Sequence, residues 1–495
     1  MQVMRIAKTV TLFTLATVFG VALGPVLNAC SGRTSFDTVV AAAGFDPYRL
    51  SDEGQQQLDR FRKVYNYYAS DPENGRQLKQ FTDAFKRMHA AYVEPVAESR
   101  LIDAAIAGVE AKEPKPHSMP ASEVVEVALD AMAGSLDPHS AYLNAEEFRE
   151  SEMVTTGEFG GLGIQVTQED GMIKVIAPLE GTPADRAGLK PGDLITHLNG
   201  GTVKGMSLKD AVNAMRGEPG STIRLTIQRG EQPAHEMTLT RAVITIDPVR
   251  WRVENDIGYL RIVSFNDKVD ERVESAIKHM QSSQRTPLHG IVVDLRNNPG
   301  GLLDQSLAVA DDFLDAGVIV TIRGRDGSGS RAFTATQGEL LKGVPMVVLI
   351  NAGSASASEI VASALQDQGR ATVMGSQSFG KGSVQTVMRL PVEGALKLTT
   401  ALYYAPSGET IQARGVTPNI RFVGLPQDTD PHEADLPGAL PGSGIGLRID
   451  APTVDVSLCP AIGTQEDREL GCAISYLQAG STDRFLASVG LADKL

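Results

Sequence analysis

At 495 residues and 42% hydrophobic content the chain can bury sizeable cores, and a length of this order implies about two to four domains. A formal net charge of −14 argues against nucleic acid as a partner class, since phosphates are met by clustered Lys and Arg, and 5% aromatic content offers little base-stacking surface. With three cysteines, no CxxC pair and no His/Cys cluster, no metal site is expected, and no cofactor is implied.

Arg5 and Lys8 precede a largely apolar stretch, 9–23, and VLNAC ends at Cys30, so residues 1–29 have the pattern of a secretory or lipoprotein signal. Three outcomes stay open: lipidation at Cys30, cleavage near Ala29, or an uncleaved anchor, because the uncharged stretch 9–32 could nearly span a bilayer. All three place the body in the periplasm or otherwise outside the cytoplasm, with membrane contact only through the N-terminus. Residues 31–155 read as a helical region. Leu58, Phe61, Val64, Tyr65 and Tyr68 have helical spacing over 55–68, as do Leu78, Phe81, Phe85 and Met88 over 78–92. A Pro/Lys-rich break at 113–120 separates two further helical stretches, 101–109 and 122–133.

Over 156–242 the pattern changes to short strands, expected at 163–167, 173–176, 193–198, 222–228 and 236–240. Gly160, Gly161, Leu162, Gly163 and Ile164 form a run whose small residues let several backbone N–H groups converge on one anion. Leu208, Ala211, Val212 and Met215 have the spacing of a helix that walls a groove, and Arg216 follows it directly. Residues 243–423 alternate expected strands (257–263, 290–295, 318–322, 344–350, 371–374) with helices (269–280, 302–314), which implies an α/β body with a mostly parallel, buried sheet.

The chemistry concentrates after the fourth of these strands, in NAGSASASEIVASALQD. Apolar residues at Ile360, Val361, Ala364 and Leu365 place Ser354, Ser356 and Ser358 at or just before a helix N-terminus. There the unpaired N–H groups of the first turn point at any oxyanion the serine creates. Ser356 is the expected nucleophile. A serine needs a base, and a lysine serves only when desolvation lowers its pKa. Lys381 lies between two glycines in FGKGSVQ, where Phe379 helps dry the site. If 383–388 continues as a strand, Lys381, Ser383 and Gln385 share a face, and Gln385 is placed to orient the pair. His139, in DPHSAYL, reads as a structural polar residue. Asp294 and Arg296 read as fixing the NNPGG turn, and Asp367 as a support at the far end of the serine's helix.

After Val423 the Pro, Gly and Asp content of 424–451 reads as a flexible linker. In 452–495, Cys459 and Cys472 are expected to pair in a compartment where disulfides persist, the alternative being two free buried thiols.

These strings together (DPHSAYL, GEFGGLGIQV, GTPADRAGLKPGDLI, AMRGEPG, VVDLRNNPGGLL, NAGSASASEIVASALQD and SFGKGSVQT) resemble those of the carboxy-terminal processing peptidases, tail-specific serine proteases with a PDZ domain, over roughly 80–423. The resemblance implies a crotonase-like protease body into which the PDZ domain is inserted. It places nucleophile, general base and orienting amide on Ser356, Lys381 and Gln385, and the oxyanion donors on Ala357 N–H and that of Gly300 or Gly301. The Gly160–Ile164 run would then hold the α-carboxylate of a substrate tail that adds as a strand, with Leu208, Val212 and Met215 lining the pocket for an apolar end. Arg216 would sense the bound tail and contact the protease body. The implied partners are proteins with apolar C-terminal tails, an adaptor or activator, and a second copy of the chain through the N-terminal helices. The competing class is a catalytically silent PDZ scaffold or adaptor of the cell envelope. The final Asp493, Lys494 and Leu495 also resemble a ligand for such a groove.

Overall fold

The computed structural model describes residues 49–491 other than 74, 170, 180, 328, 425–429, 443–450 and 464–465. The expected signal, Cys30 and the final residues 493–495 lie outside the described residues. The chain divides into two units, residues 1–135 with 388–392, and residues 136–387 with 393–495.

In the first unit the apolar spacing produces α1 (Asp52–Tyr68), α2 (Gly75–Ala91), α3 (Glu98–Glu110) and α4 (Ala121–Gly134). Leu58, Phe61, Phe81, Phe85, Leu101, Val124 and Leu129 are buried, and the rings of Phe61 and Phe81 stack with centroids 3.6 Å apart. Between α3 and α4 the Pro/Lys-rich stretch is tied back to the end of α1, where Tyr67 and Tyr68 carbonyls accept from His117 and Met119 N–H.

The second unit begins with β1 (Ala141–Leu143) and α5 (Ala145–Thr156). No residue of α5 is buried, so it has no apolar period to betray it. Its start is fixed by the Asn144 side chain, which accepts from Glu146 and Glu147 N–H. Next come β2 (Glu158–Gly161), β3 (Ile164–Glu169), β4 (Met172–Pro178), α6 (Pro183–Arg186), β5 (Leu194–Leu198), β6 (Gly201–Thr202), α7 (Leu208–Met215), β7 (Thr222–Gln228), β8 (His235–Thr240) and β9 (Ala242–Thr245). Here a six-stranded sheet runs in the order β3-β4-β5-β7-β8, with β6 on β5, around buried Ile173, Val175, Ile195, Leu225 and Ile227. Among the described residues β3 is an edge strand, paired on one side only, with β4.

The body follows as β10 (Val249–Glu254), β11 (Ile257–Ile262), α8 (Val269–Ser283), β12 (Gly290–Asp294), α9 (Leu303–Asp311), β13 (Val318–Gly324), β14 (Arg331–Thr334), β15 (Met346–Ile350), α10 (Ala357–Asp367), β16 (Thr372–Gly375), β17 (Ser383–Arg389), β18 (Ala395–Tyr404), β19 (Ile420–Val423), β20 (Thr453–Asp455), α11 (Arg468–Ala479) and α12 (Thr482–Ser488). Seven strands form its main sheet, β10-β11-β12-β15-β16-β19-β20, parallel except for the β10–β11 pair. Alternate residues serve opposite faces. Leu260, Ile291, Val293, Val348 and Ile350 pack with Val273 and Ile277 of α8 and Ile360 and Val361 of α10. Tyr259, Val292, Val347 and Leu349 pack with Leu470, Ile474, Leu477 and Phe485 of α11 and α12. A second sheet, β1-β18-β13-β14 with β17 on β18, uses a strand from before the middle region.

In 452–491, β20 extends the main sheet and α11 and α12 cover one of its faces, with Cys459 and Cys472 joined by a disulfide as expected. One expectation for the C-terminal end is corrected: the 424–451 stretch is not a flexible linker throughout, because within 430–442 Glu433 is 1% exposed and hydrogen-bonded to the body. Composition misread this segment because its fixing contacts are made by single polar groups rather than by an apolar period.

Candidate active site

Three neighbouring parallel strands, β12, β15 and β16, end side by side, and the loops that leave their carboxyl ends build the site. From β12 comes the 295–302 turn, from β15 the serine turn, and from β16 the loop that carries Lys381.

Two of the three serines hold the turn and the third is presented for chemistry by its backbone. Ser354 Oγ donates to the Leu295 carbonyl (2.8 Å) and Ser358 Oγ to the Asn298 carbonyl (2.9 Å), so both fasten the serine turn to its neighbour. Ser356, at the N-cap of α10, has φ 57° and ψ −113°, a strained backbone of the kind found where function over-determines geometry. Its Oγ lies 3.1 Å from Tyr403 OH, a phenol whose pKa burial pushes up to about 12. Neither Lys381 Nζ nor the Gln385 amide is hydrogen-bonded to Ser356 in this arrangement; Gln385 Nε2 donates to Ser383 Oγ (2.9 Å) and Thr399 Oγ1 (3.3 Å). The shared face of Ser383 and Gln385 is as expected, and Thr399 links it to Asp137 (Oγ1 to Oδ1, 3.0 Å).

Lys381 is brought beside Ser356 by a residue that sequence reasoning passed over. Glu359, fully buried one turn into α10, accepts from Ser378 Oγ (2.5 Å) and Gly380 N–H (2.6 Å) on Oε1, and from Ser356 N–H (2.8 Å) and Lys381 N–H (2.9 Å) on Oε2. The backbones of nucleophile and base thus meet across one oxygen. Burial pushes the Glu359 carboxyl up to about 7, against four hydrogen bonds that hold it down. Desolvation, and then the charge of Lys397, lower the Lys381 ammonium to about 8, opposed by Glu433, Asp137 and Glu359. A lysine so placed has an appreciable neutral fraction near neutral pH, which its ordinary value forbids.

The oxyanion donors are narrowed by the same hydrogen-bond pattern. Gly300 lies against the nucleophile, since a Cβ there would be 2.8 Å from Ser356 Cβ and 2.9 Å from Ala357 N, at φ 96°. But Gly300 N–H already donates to Asn298 Oδ1 (2.9 Å). Ala357 and Gly301 N–H groups donate to no protein acceptor among the described residues, which favours this pair.

A groove in the middle region is lined by Phe159, Gly161, Leu162, Gly163, Ile164, Val166, Val212, Met215 and Arg216, beside the open edge of β3. Leu162 and Gly163 N–H groups have no protein acceptor among the described residues, while their carbonyls are engaged by Ala184 and Leu179. Gly160 lines a neighbouring cleft with α5, and Leu208, like Ile164, Val166 and Val212, is partly buried against the core beside the groove. The Arg216 guanidinium carbon sits 5.2 Å from the Phe159 ring centroid, and its Nε has no acceptor among the described residues. It borders both the groove and the α5 cleft. Asp294 holds Arg296 N–H and Nε on one oxygen (3.0 and 2.9 Å), fixing the turn as expected, and Arg296 extends this to Asp467 and Glu469 of the C-terminal segment.

A profile of peptidase family S41 matches residues 256–422, the span that holds this site, and one of the PDZ domain matches residues 174–229. The chain is 47% identical over 347 residues to a carboxy-terminal-processing protease of Bartonella bacilliformis, covering 70% of this chain and 75% of that protein. It is 33% identical over 302 residues to the carboxy-terminal processing protease CtpA of Bacillus subtilis, covering 60% of this chain and 64% of that one. Among solved structures it is similar to a photosystem II D1 C-terminal processing protease, with 29% identity and a TM-score of 0.42 over 70% of this chain and 92% of the other.

Proposed function

The chain belongs to peptidase family S41, and on that premise we propose that it is an extracytoplasmic serine endopeptidase that holds C-terminal protein tails in its PDZ groove and cuts upstream through an acyl-enzyme. The observation that carries this reading is the convergence of Ser356 and a desolvated Lys381 on Glu359, with unpaired Ala357 N–H at the helix start.

In the cleavage step Ser356 Oγ leaves Tyr403, gives its proton to neutral Lys381 Nζ and attacks the scissile carbonyl. The carbonyl oxygen becomes an oxyanion between Ala357 and Gly301 N–H. Lys381 then returns the proton to the leaving amine, the C–N bond breaks, and the acyl group stays on Ser356. Water, deprotonated by the same lysine, releases it. Gln385 lies on the strand that follows and orients Lys381 once substrate displaces the present contacts. The tail lies along the β3 edge, its carboxylate on the Leu162 and Gly163 N–H groups and its apolar end against Val212 and Met215.

The extracytoplasmic placement is supported by the Cys459–Cys472 disulfide and by the signal pattern ahead of Cys30. The same reading includes an adaptor or activator protein, and a second copy of the chain met through the N-terminal helices, where Tyr67 is 53% exposed.

The test is an unfolded reporter with an apolar C-terminus, offered free and amidated. Wild type is expected to cleave the free form with kcat/KM about tenfold or more above the amidated form, one carboxylate–amide contact set being worth at least ~1.5 kcal/mol. Equal cleavage of both forms would remove carboxylate reading by the PDZ groove.

A further inference from the structure

The loop that carries Lys381 is held by the protease body, through Glu359 and backbone hydrogen bonds with Ser354, Tyr403, Ala413 and Val416, and by a second segment beyond the body. That segment is residues 430–442, beyond the span matched by the S41 profile.

There Glu433 N–H donates to the Phe379 carbonyl (2.9 Å), and His432 Nδ1 lies 3.1 Å from the Ser378 carbonyl. The Glu433 carboxylate turns inward. Its Oε2 is 2.7 Å from His139 Nε2 and its Oε1 accepts from Gln412 Nε2 (2.9 Å). Gln412 is itself buried, and its Oε1 accepts from Gly382 N–H (3.0 Å), the residue after the lysine, while its Nε2 also donates to the Leu440 carbonyl (3.1 Å). Thus the strap holds Ser378 and Phe379 directly and Gly382 through Gln412, and at its centre is a buried carboxylate.

We propose that Glu433 is a positioning residue for the general base: through Gln412 and its own backbone it fixes the 378–382 loop, and its carboxylate sets the charge that Lys381 faces. Resting on the protease reading above, this gives a task to His139 as well, which holds the carboxylate from the opposite side. The charged groups that face Lys381 are Lys397 on β18, Glu359 on α10, Asp137 in the turn before β1, and Glu433 on the strap. Burial opposes the charge on Glu433, but hydrogen bonds from His139 and Gln412 and the nearby Lys381 hold its pKa below the usual carboxylate range. These contacts favour its charged form. Removing this carboxylate stabilises neutral lysine and loosens the loop, two effects that a merely structural contact would not combine.

The experiment compares wild type with Glu433→Gln in the full chain. The pH dependence of Lys381 acylation by acetic anhydride is read by mass spectrometry, alongside kcat and KM for the free-tailed reporter. The acylation midpoint is expected to fall by about one pH unit in Glu433→Gln, and kcat by about tenfold, with KM within about twofold. An unmoved midpoint would overturn the proposal, and because acylation needs no turnover this outcome is independent of whether the wild type cleaves the reporter. If Glu433→Gln does not fold, Glu433→Asp decides: it keeps the charge and loses the reach to His139 and Gln412, so kcat should fall with KM unchanged, whereas wild-type kcat would overturn the assignment.

Discussion

Lys381→Met is expected to retain the fold and lose cleavage by about 10³-fold or more, within the range that positioned acid–base groups contribute. Methionine keeps the unbranched stem and its volume but has no proton acceptor for Ser356. Stability should move the other way from activity. The Lys381 pKa is lowered from 10.5 to about 8 mainly by desolvation, so burying the ammonium costs the folded state free energy at pH 7. That cost is fully present below pH 8, fades as pH rises, and is gone above 10.5, where neither state carries the charge. Lys381→Met should therefore unfold at the same temperature as wild type or higher at pH 7, with the difference closing toward pH 10. A destabilised Lys381→Met would mean that the ammonium makes a favourable contact in the resting site. Thermal unfolding and reporter cleavage on the same samples check both halves.

Glu359→Gln is expected to fail differently, losing activity and stability together. One of its two oxygens becomes an NH₂ group facing two donors, either Ser378 Oγ and Gly380 N–H or Ser356 and Lys381 N–H. Buried donors left without acceptors cost roughly 1–3 kcal/mol each, so a loss on the order of 3 kcal/mol in urea unfolding is expected. Because the same oxygens align nucleophile and base, kcat should drop by about 100-fold or more. Near-normal kcat in a folded Glu359→Gln protein would show that the shared carboxylate is not what aligns them.

Glu359 is hidden in the sequence for a physical reason. An acid three residues after a helix-capping serine reads as an ordinary partner of the helix dipole, and its other three donors lie about twenty residues on, two of them backbone N–H groups that sequence does not display. The Ser-x-x-Glu spacing of Ser356 and Glu359 was the available signal. Glu433 was hidden more thoroughly, in a Pro- and Gly-rich stretch where composition argues for solvent exposure. The parallel core of the body was legible because β12 and β15 are apolar at every position and bounded by turn residues, the closing Asp294 of β12 excepted. β18 was harder, since Lys397, Thr399 and Thr400 interrupt its apolar run although Thr399 is buried, and it takes its register from β1 and β13. Between Gly300 and Gly301 no residue pattern chooses; what favours Gly301 is the Asn298 side chain, which occupies the Gly300 N–H.

A neutral Lys381 that activates Ser356 is the heart of the mechanism, and the pH dependence of kcat/KM tests it most directly. With wild type and a reporter that does not titrate between pH 5 and 10, kcat/KM should rise with pH as Lys381 loses its proton, with a midpoint near the value of about 8 that its burial sets. A profile flat from pH 5 to 9, or one falling over that range, would contradict lysine as the base.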